Sequence, residues 1–160
     1  TDPNGAPDYH WTQLAFWRFG PEPKLAAPEL GELWRLLPAD TRVPDHTIWS
    51  HLDIVSALAG AMQDAEPANA PALLSMSFGP VQGFIAQARS TSDLWAGSHL
   101  LSSLVWEGLK VVCEELGPDA VLFPHLRSVA AVDRWLLETV PAHRREAWQQ
   151  RFDAARYVQV

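Results

Sequence analysis

Five side chains between residues 40 and 53 carry groups that bind divalent metal ions: Asp40, Asp45, His46, His51 and Asp53. Neutral imidazole and carboxylate suit such an ion and leave coordination positions for an activated water, which is hydrolytic chemistry. The order of the residues works against a complete site. No His-Asp dipeptide is present, and Asp45-His46 is the reverse order. His46 and His51 are five residues apart, about 140° round a helix, which predicts that they do not share one ion directly. The alternative for all five is capping and packing of a helix.

A second group lies between Gly79 and Ser98. Gly79-Pro80 makes a turn into a helix, and Gln82 falls on its first turn, opposite the apolar stripe. A helix start presents unpaired N–H groups and a partial positive charge, so it can meet a phosphate. Asp93, Gly97 and Ser98 mark the start of the next helix. Glycine inside a helix costs about 1 kcal/mol relative to alanine, and either close packing or contact with a ligand or partner would account for Gly97. Residues 73–78, the strand end before Gly79, include no Asp or Glu, so the turn itself lacks a metal ligand. Serine-hydrolase chemistry has no GxSxG elbow to support it. Cys113, the sole cysteine, lies among Val111, Val112 and Leu116 and reads as a small buried apolar residue.

The elements that must position these groups follow from periodicity. Leu74, Met76 and Phe78 alternate with Ser75 and Ser77, which predicts a strand over 73–78. Val81, Phe84, Ile85 and Ala88 give a helical stripe. Ser90 to Ser92 offer caps for a longer helix, with Asp93 at its positive end, and Leu94, Leu101, Leu104, Val105, Gly108, Leu109 and Val112 as its inner side. Gly117-Pro118 stops that helix, and residues 120–123 (AVLF) read as a second strand, so 73–123 is expected to form two strands of one sheet with both helices on one face. Upstream, residues 1–24 read as a proline-rich arm around the apolar island 11–19. A helix is expected over 25–37, starting near Pro28, with Leu30, Leu33, Trp34 and Leu37 inward. Another is expected over 46–63, capped by Asp45 or Thr47, with Ile48, Leu52, Val55, Leu58, Ala59 and Met62 inward. Residues 66–71 (EPANAP) read as a linker. Downstream, Val132–Leu137 is a short helical turn with Trp135 inward, 142–155 is a helix burying Trp148, Phe152 and Ala155, and 157–160 reads as a strand start. These expectations amount to an α+β fold of two domains, a helical part at 1–66 and an α/β sandwich at 72–160.

Composition narrows the function classes. The 160 residues suffice for one ordinary core, and 48% hydrophobic with 19% charged residues is the balance of a globular protein. No apolar run reaches the roughly 20 residues needed to span a bilayer, and no basic stretch followed by an apolar core opens the chain. A cytoplasmic location without membrane contact is therefore expected. The net charge of −7, with two lysines, disfavours a nucleic-acid surface, because phosphate binding needs clustered cations. The arginines are scattered apart from Arg144, Arg145 and Arg151. The eight tryptophans read as core or interface anchors, with base stacking as the alternative.

Three blocks in order, LLPADTRVPDHTIWSHLDIVSALAGA, GPVQGFIAQARSTSDLWAGSHLLS and LFPHLRSVAAVDRWL, resemble the large subunit of type III CRISPR effector complexes in its III-B form. They cover Leu36 to Leu137, and the middle block resembles the opening of the first palm-like domain. The resemblance implies an incomplete ferredoxin-like, palm-type sandwich, and a fragment or a shortened form. In the full-length subunit it implies ATP with Mg²⁺ or Mn²⁺ clasped between two palms, and cyclic oligoadenylate synthesis switched on by target RNA. The catalytic GGDD motif belongs to the second palm and is absent here, so no cofactor is expected for this segment alone, which is left as the non-catalytic palm and a docking scaffold. By the same resemblance Gly79, Gln82, Asp93 and Ser98 border the nucleotide, and His51, in the IWxH block, is one distal ligand of an HD-type metal site. The implied partners are other effector subunits, the second palm, and crRNA with target RNA through the assembled complex. An autonomous metal-dependent nuclease and a purely structural adaptor are the alternatives.

Overall fold

A computed structural model of the chain describes residues 8–62 and 70–156. The first helix, α1 (Tyr9–Phe19), starts on Asp8, whose carboxylate accepts a hydrogen bond from the Trp11 N–H at 3.3 Å. The arm expected over 1–24 is thus, from Tyr9 onward, a helix that supplies core residues: Leu14, Trp17 and Phe19 are buried. The prolines that suggested an arm bracket residues 9–19 without interrupting them, so nothing in the interval breaks a helix.

The helix expected over 25–37 is broken into α2 (Pro23–Ala26) and a 3₁₀ turn, Gly31–Leu36. Pro28 disfavours helical backbone at Ala27, which takes φ −153°. Gly31 then reverses the chain at φ +51°, a conformation open to glycine. Leu33 and Leu36 are exposed in consequence, whereas Trp34 is half-buried and its indole N–H donates to the Gly20 carbonyl at 2.7 Å. An isolated antiparallel bridge joins Pro38 and Thr47.

Helix α3 (Ile48–Met62) is capped by Thr47, whose hydroxyl accepts from the Ser50 N–H at 3.2 Å. Its buried residue is Trp49, and Val55, Leu58 and Met62 of the expected inner stripe are exposed. Apolar residues surround this helix, so periodicity alone does not fix its inner face. Trp49 does, seated against the rings of Trp34 at 5.3 Å and Phe16 at 6.2 Å.

Among the described residues the expected α/β sandwich is not formed. Residues 70–78 have no regular structure; Leu73 is 84% exposed and Leu74 80% exposed. Residues 118–120 form a 3₁₀ turn, and Phe123 is 90% exposed. Alternation signals a strand only where a neighbouring strand takes up its N–H and C=O groups. Among the described residues neither segment has such a neighbour, and the fold there is all-helical: α4 (Val81–Ile85), α5 (Thr91–Leu116), α6 (Ala130–Thr139) and α7 (Ala142–Arg156) complete it. The expected capping by Ser90 and the stop at Gly117 both hold for α5. So does the expected burial of Trp135 on α6 and of Trp148, Phe152 and Ala155 on α7. The strand start expected at 157–160 lies outside the described residues, as does most of the expected linker.

The chain divides into two compact units: residues 1–56 with 122–160, and residues 57–121. In the first, α1, α6 and α7 build an aromatic core in which the Phe19 ring meets Phe152 at 4.9 Å and Trp148 at 5.5 Å. Leu126, Val132, Leu136 and Val140 complete it. In the second, Cys113 and Pro118 are buried where α5 meets the 3₁₀ turn that follows it. Burial, reinforced by the nearby charges of Glu114 and Asp119, pushes the Cys113 thiol up to about 11. The folded chain therefore holds this proton more tightly than the unfolded chain. The contribution is whole below the ordinary value of 9.0 and is lost as pH rises through about 11. At about pH 8 a disulfide reagent is expected to modify the folded chain at least tenfold more slowly than the urea-unfolded chain. Equal rates would place the thiol on the surface.

Candidate functional site

The turn singled out in the sequence leads into a single helical turn. Pro80 is the N-cap of α4 with no side-chain cap, and Gly79 and Gln82 are exposed. Asp93 sits in the first turn of α5 and is engaged locally: its N–H donates to the Ser90 hydroxyl at 3.1 Å, and its carboxylate accepts from the Arg89 N–H at 3.2 Å. Ser90 thus caps the first turn of α5 as the N-cap, while the Asp93 carboxylate reaches back past it to the N–H of the preceding residue. Asp93 and Gly97 line a hollow of about 250 Å³ with Phe84, Ile85 and Leu94. Gly79, Gln82 and Ser98 are not part of that lining, and Ser98 is half-buried on α5. Of the four residues assigned to a nucleotide edge, Asp93 is the one that lines this hollow. The 79–82 turn offers a divalent ion no carboxylate. Gly97 is accounted for by packing, since a Cβ there would lie 3.3 Å from Phe84 Cε1.

The histidine region differs from its helical-wheel reading. His46 precedes α3 and is not bound by helical spacing, and its ring lies 5.7 Å from that of His51. The two imidazoles are thus neighbours. His46 Nδ1 is 2.5 Å from Asp45 Oδ1, a contact that holds the Asp45 carboxyl below its ordinary range. His51 is exposed, its N–H bonded to the Thr47 carbonyl at 3.0 Å. Asp53 is directed elsewhere, taken by both terminal nitrogens of Arg127, one at 2.5 Å. Among the described residues no three His, Cys, Asp or Glu side chains are placed to hold a metal ion.

Sequence reasoning missed the two arginines around which the polar interior is built. Arg127 also donates from Nε to the Trp17 carbonyl at 2.6 Å and lies over the Trp17 ring, so it ties α1, α3 and the 122–129 segment together. Arg18, on α1, donates to Asp133 at 2.7 and 2.9 Å and to Glu22 at 3.0 Å, all buried. Arg35 is the second partner of Glu22. Each is an isolated arginine in sequence, separated from its acidic partner on another element by 74 or 115 residues. The only local signal is the Arg18–Glu22 spacing of i,i+4.

Residues 73–157, just over half of the chain, match the family described as CRISPR-associated protein Cmr2, N-terminal. A CRISPR system Cmr subunit Cmr2 from Pyrococcus furiosus is 48% identical over 101 residues, 63% of this chain and 11% of that protein. Its counterpart from Saccharolobus solfataricus is 39% identical over 101 residues, 63% of this chain and 10% of that protein. The matched stretch thus spans about a tenth of the length of these curated relatives. No solved structure matches. Among the described residues no helix is long and apolar enough to cross a membrane. A match over more than half of its length, in the stretch that carries α4 to α7, shows that the chain belongs to the Cmr2 N-terminal family of CRISPR-associated proteins.

Proposed function

We propose that this chain serves as a docking segment of a Cmr2-type large subunit in a type III CRISPR effector complex, without carrying the catalytic residues of that subunit. One observation carries the reading: the family-matched stretch exposes an unusual number of large apolar side chains. Leu73, Leu74, Met76, Phe78, Trp95 and Leu104 are each at least 49% exposed. Exposed apolar surface on this scale marks sites that other protein covers. The relatives are named as subunits of a Cmr system, so the cover is proposed to come from the rest of the subunit and from other Cmr subunits, with crRNA and target RNA reached through the assembly.

The test is co-expression with the other Cmr subunits and affinity capture. Leu74→Asp combined with Trp95→Asp is expected to lower the recovered complex about tenfold with an unchanged melting temperature, because neither side chain supports the fold of this chain. Undiminished recovery would refute the docking role. In that assembly we further propose that the edge bearing Gly79, Gln82, Asp93 and Ser98 borders ATP, with its Mg²⁺ or Mn²⁺ held by residues of the whole subunit outside this chain. The support is the exposure of Gly79 and Gln82 at the start of α4. Gln82→Ala and Ser98→Ala are expected to weaken ATP binding by the assembled complex severalfold without changing its metal preference. Unchanged affinity in both variants would assign this edge to packing.

A further inference from the structure

Within the first unit a hollow of about 500 Å³ lies between α1 and α7, with α2 at one side. Its walls include the small side chains of Ala15, Ala26 and Ala147, and the rings of Phe16 and Trp148. Arg144 and Arg151 line it from α7. The volume falls within the roughly 300–1,000 Å³ common for ligand pockets. Three features decide what it could take.

The first is ring orientation. Trp148 is buried and stands edge-to-face against Trp11 at 5.8 Å and against Phe19 at 5.5 Å. At 4% exposure it offers no open ring face to a nucleobase, whose stacking requires one. With aromatic rings and alanine methyls among its walls, the hollow suits a bulky apolar side chain. The second is charge. Arg144 is paired with Asp8 at 3.2 Å. Arg151 is exposed and lies 5.8 Å from the Phe19 centroid; among the described residues no carboxylate pairs with it. One cation beside an apolar hollow is complementary to one carboxylate next to an apolar anchor. The third is that, among the described residues, only one of the two arginines lining the hollow lacks a carboxylate partner, whereas a polyphosphate backbone needs clustered cations.

We propose that this hollow is a docking site for a peptide segment of another polypeptide, one that carries a large aromatic or aliphatic anchor beside Asp or Glu. The anchor seats against Ala15, Ala26 and Ala147, and the carboxylate meets Arg151. The lining shares no residue with the exposed apolar set of 73–104 on which the docking role rests, so either proposal can fail alone.

The test is fluorescence anisotropy on the whole chain with four labelled probes. They are a peptide whose single tryptophan is flanked by glutamates, the same peptide with lysines as flanks, the same with alanine as anchor, and an oligouridine. The glutamate-flanked peptide is expected to bind at least about tenfold more tightly than the other three. Arg151→Glu is expected to reverse the preference towards lysine flanks. Ala147→Leu, filling the hollow from an exposed position, is expected to weaken the glutamate-flanked peptide about tenfold. Both variants keep the wild-type melting temperature, because both positions are exposed. Equal binding of the two charge forms, indifference to Ala147→Leu, Arg151-dependent binding of oligouridine, or no binding of any probe would each overturn the proposal.

Discussion

Replacing Arg18 by methionine is expected to destabilise the chain by about 3–5 kcal/mol, the cost of removing one partner from a buried ion pair. Arg18 is 3% exposed, Asp133 4% and Glu22 6%, so the variant strands a carboxylate without solvent. Burial by itself would drive the guanidinium towards neutrality. The hydrogen bonds and charge of Asp133, followed by those of Glu22, outweigh it and hold Arg18 above its ordinary value. It therefore stays charged wherever the chain folds. Asp133 loses both of its bonds in the variant, whereas Glu22 keeps Arg35. Removing Asp133 as well, in Arg18→Met with Asp133→Leu, should recover much of the loss, since an apolar pair of similar volume is often neutral or better. Urea denaturation of the three proteins measures this. A single variant within 1 kcal/mol of wild type (~1 kcal/mol being the worth of an exposed pair) would show that water reaches the site.

Phe152→Ala is expected to cost about 3–5 kcal/mol, the range for deleting a fully buried aromatic ring. Phe152 has no exposed surface and packs on Phe19 at 4.9 Å and Trp148 at 6.1 Å. The Arg18 guanidinium lies 5.3 Å from its centroid and 5.2 Å from that of Phe19. The two sites share these partners, so Arg18→Met and Phe152→Ala should couple by about 0.5–3 kcal/mol in a double-mutant cycle. Strict additivity would mean that the cation contributes nothing to the rings. Phe152→Leu, which keeps most of the volume, should recover most of the stability. If it fails as fully as alanine does, ring contacts rather than cavity formation set the cost.

The sequence was most legible where a local rule sufficed. The ends of α5 follow from a Ser90 cap and a glycine stop, although Leu94 and Leu104 of its expected inner side are exposed, and α7 follows from Trp148, Phe152 and Ala155 on one face. It misled where a local pattern needed a distant partner. The alternation at 73–78 carries no information about whether a neighbouring strand exists. α1 was obscured because prolines on both sides of an aromatic island resemble a linker. The inner face of α3 was set by Trp34 and Phe16, which periodicity within α3 cannot register. At the candidate site the same limit applies. The capping of α5 by Ser90 was readable from the hydroxyl cluster ahead of Asp93, but the commitment of Asp53 to Arg127 was not.

The first unit is assembled from two stretches, residues 1–56 and 122–160, that are not contiguous in the chain. Its aromatic core unites α1 with α7, and Arg18 meets Asp133 across 115 positions. During synthesis, therefore, α1 leaves the ribosome long before the residues that cover it. At roughly 5–20 residues per second, Leu14, Trp17 and Phe19 wait several seconds for α6 and α7. Through that interval the nascent chain displays an apolar helix face and a guanidinium whose principal counter-charge has not yet been made. A large closing loop also slows the search for the native contacts once they exist. A helix that contributes Leu14, Trp17 and Phe19 to the finished core is thus open to chaperones and to neighbouring nascent chains until its covering helices exist.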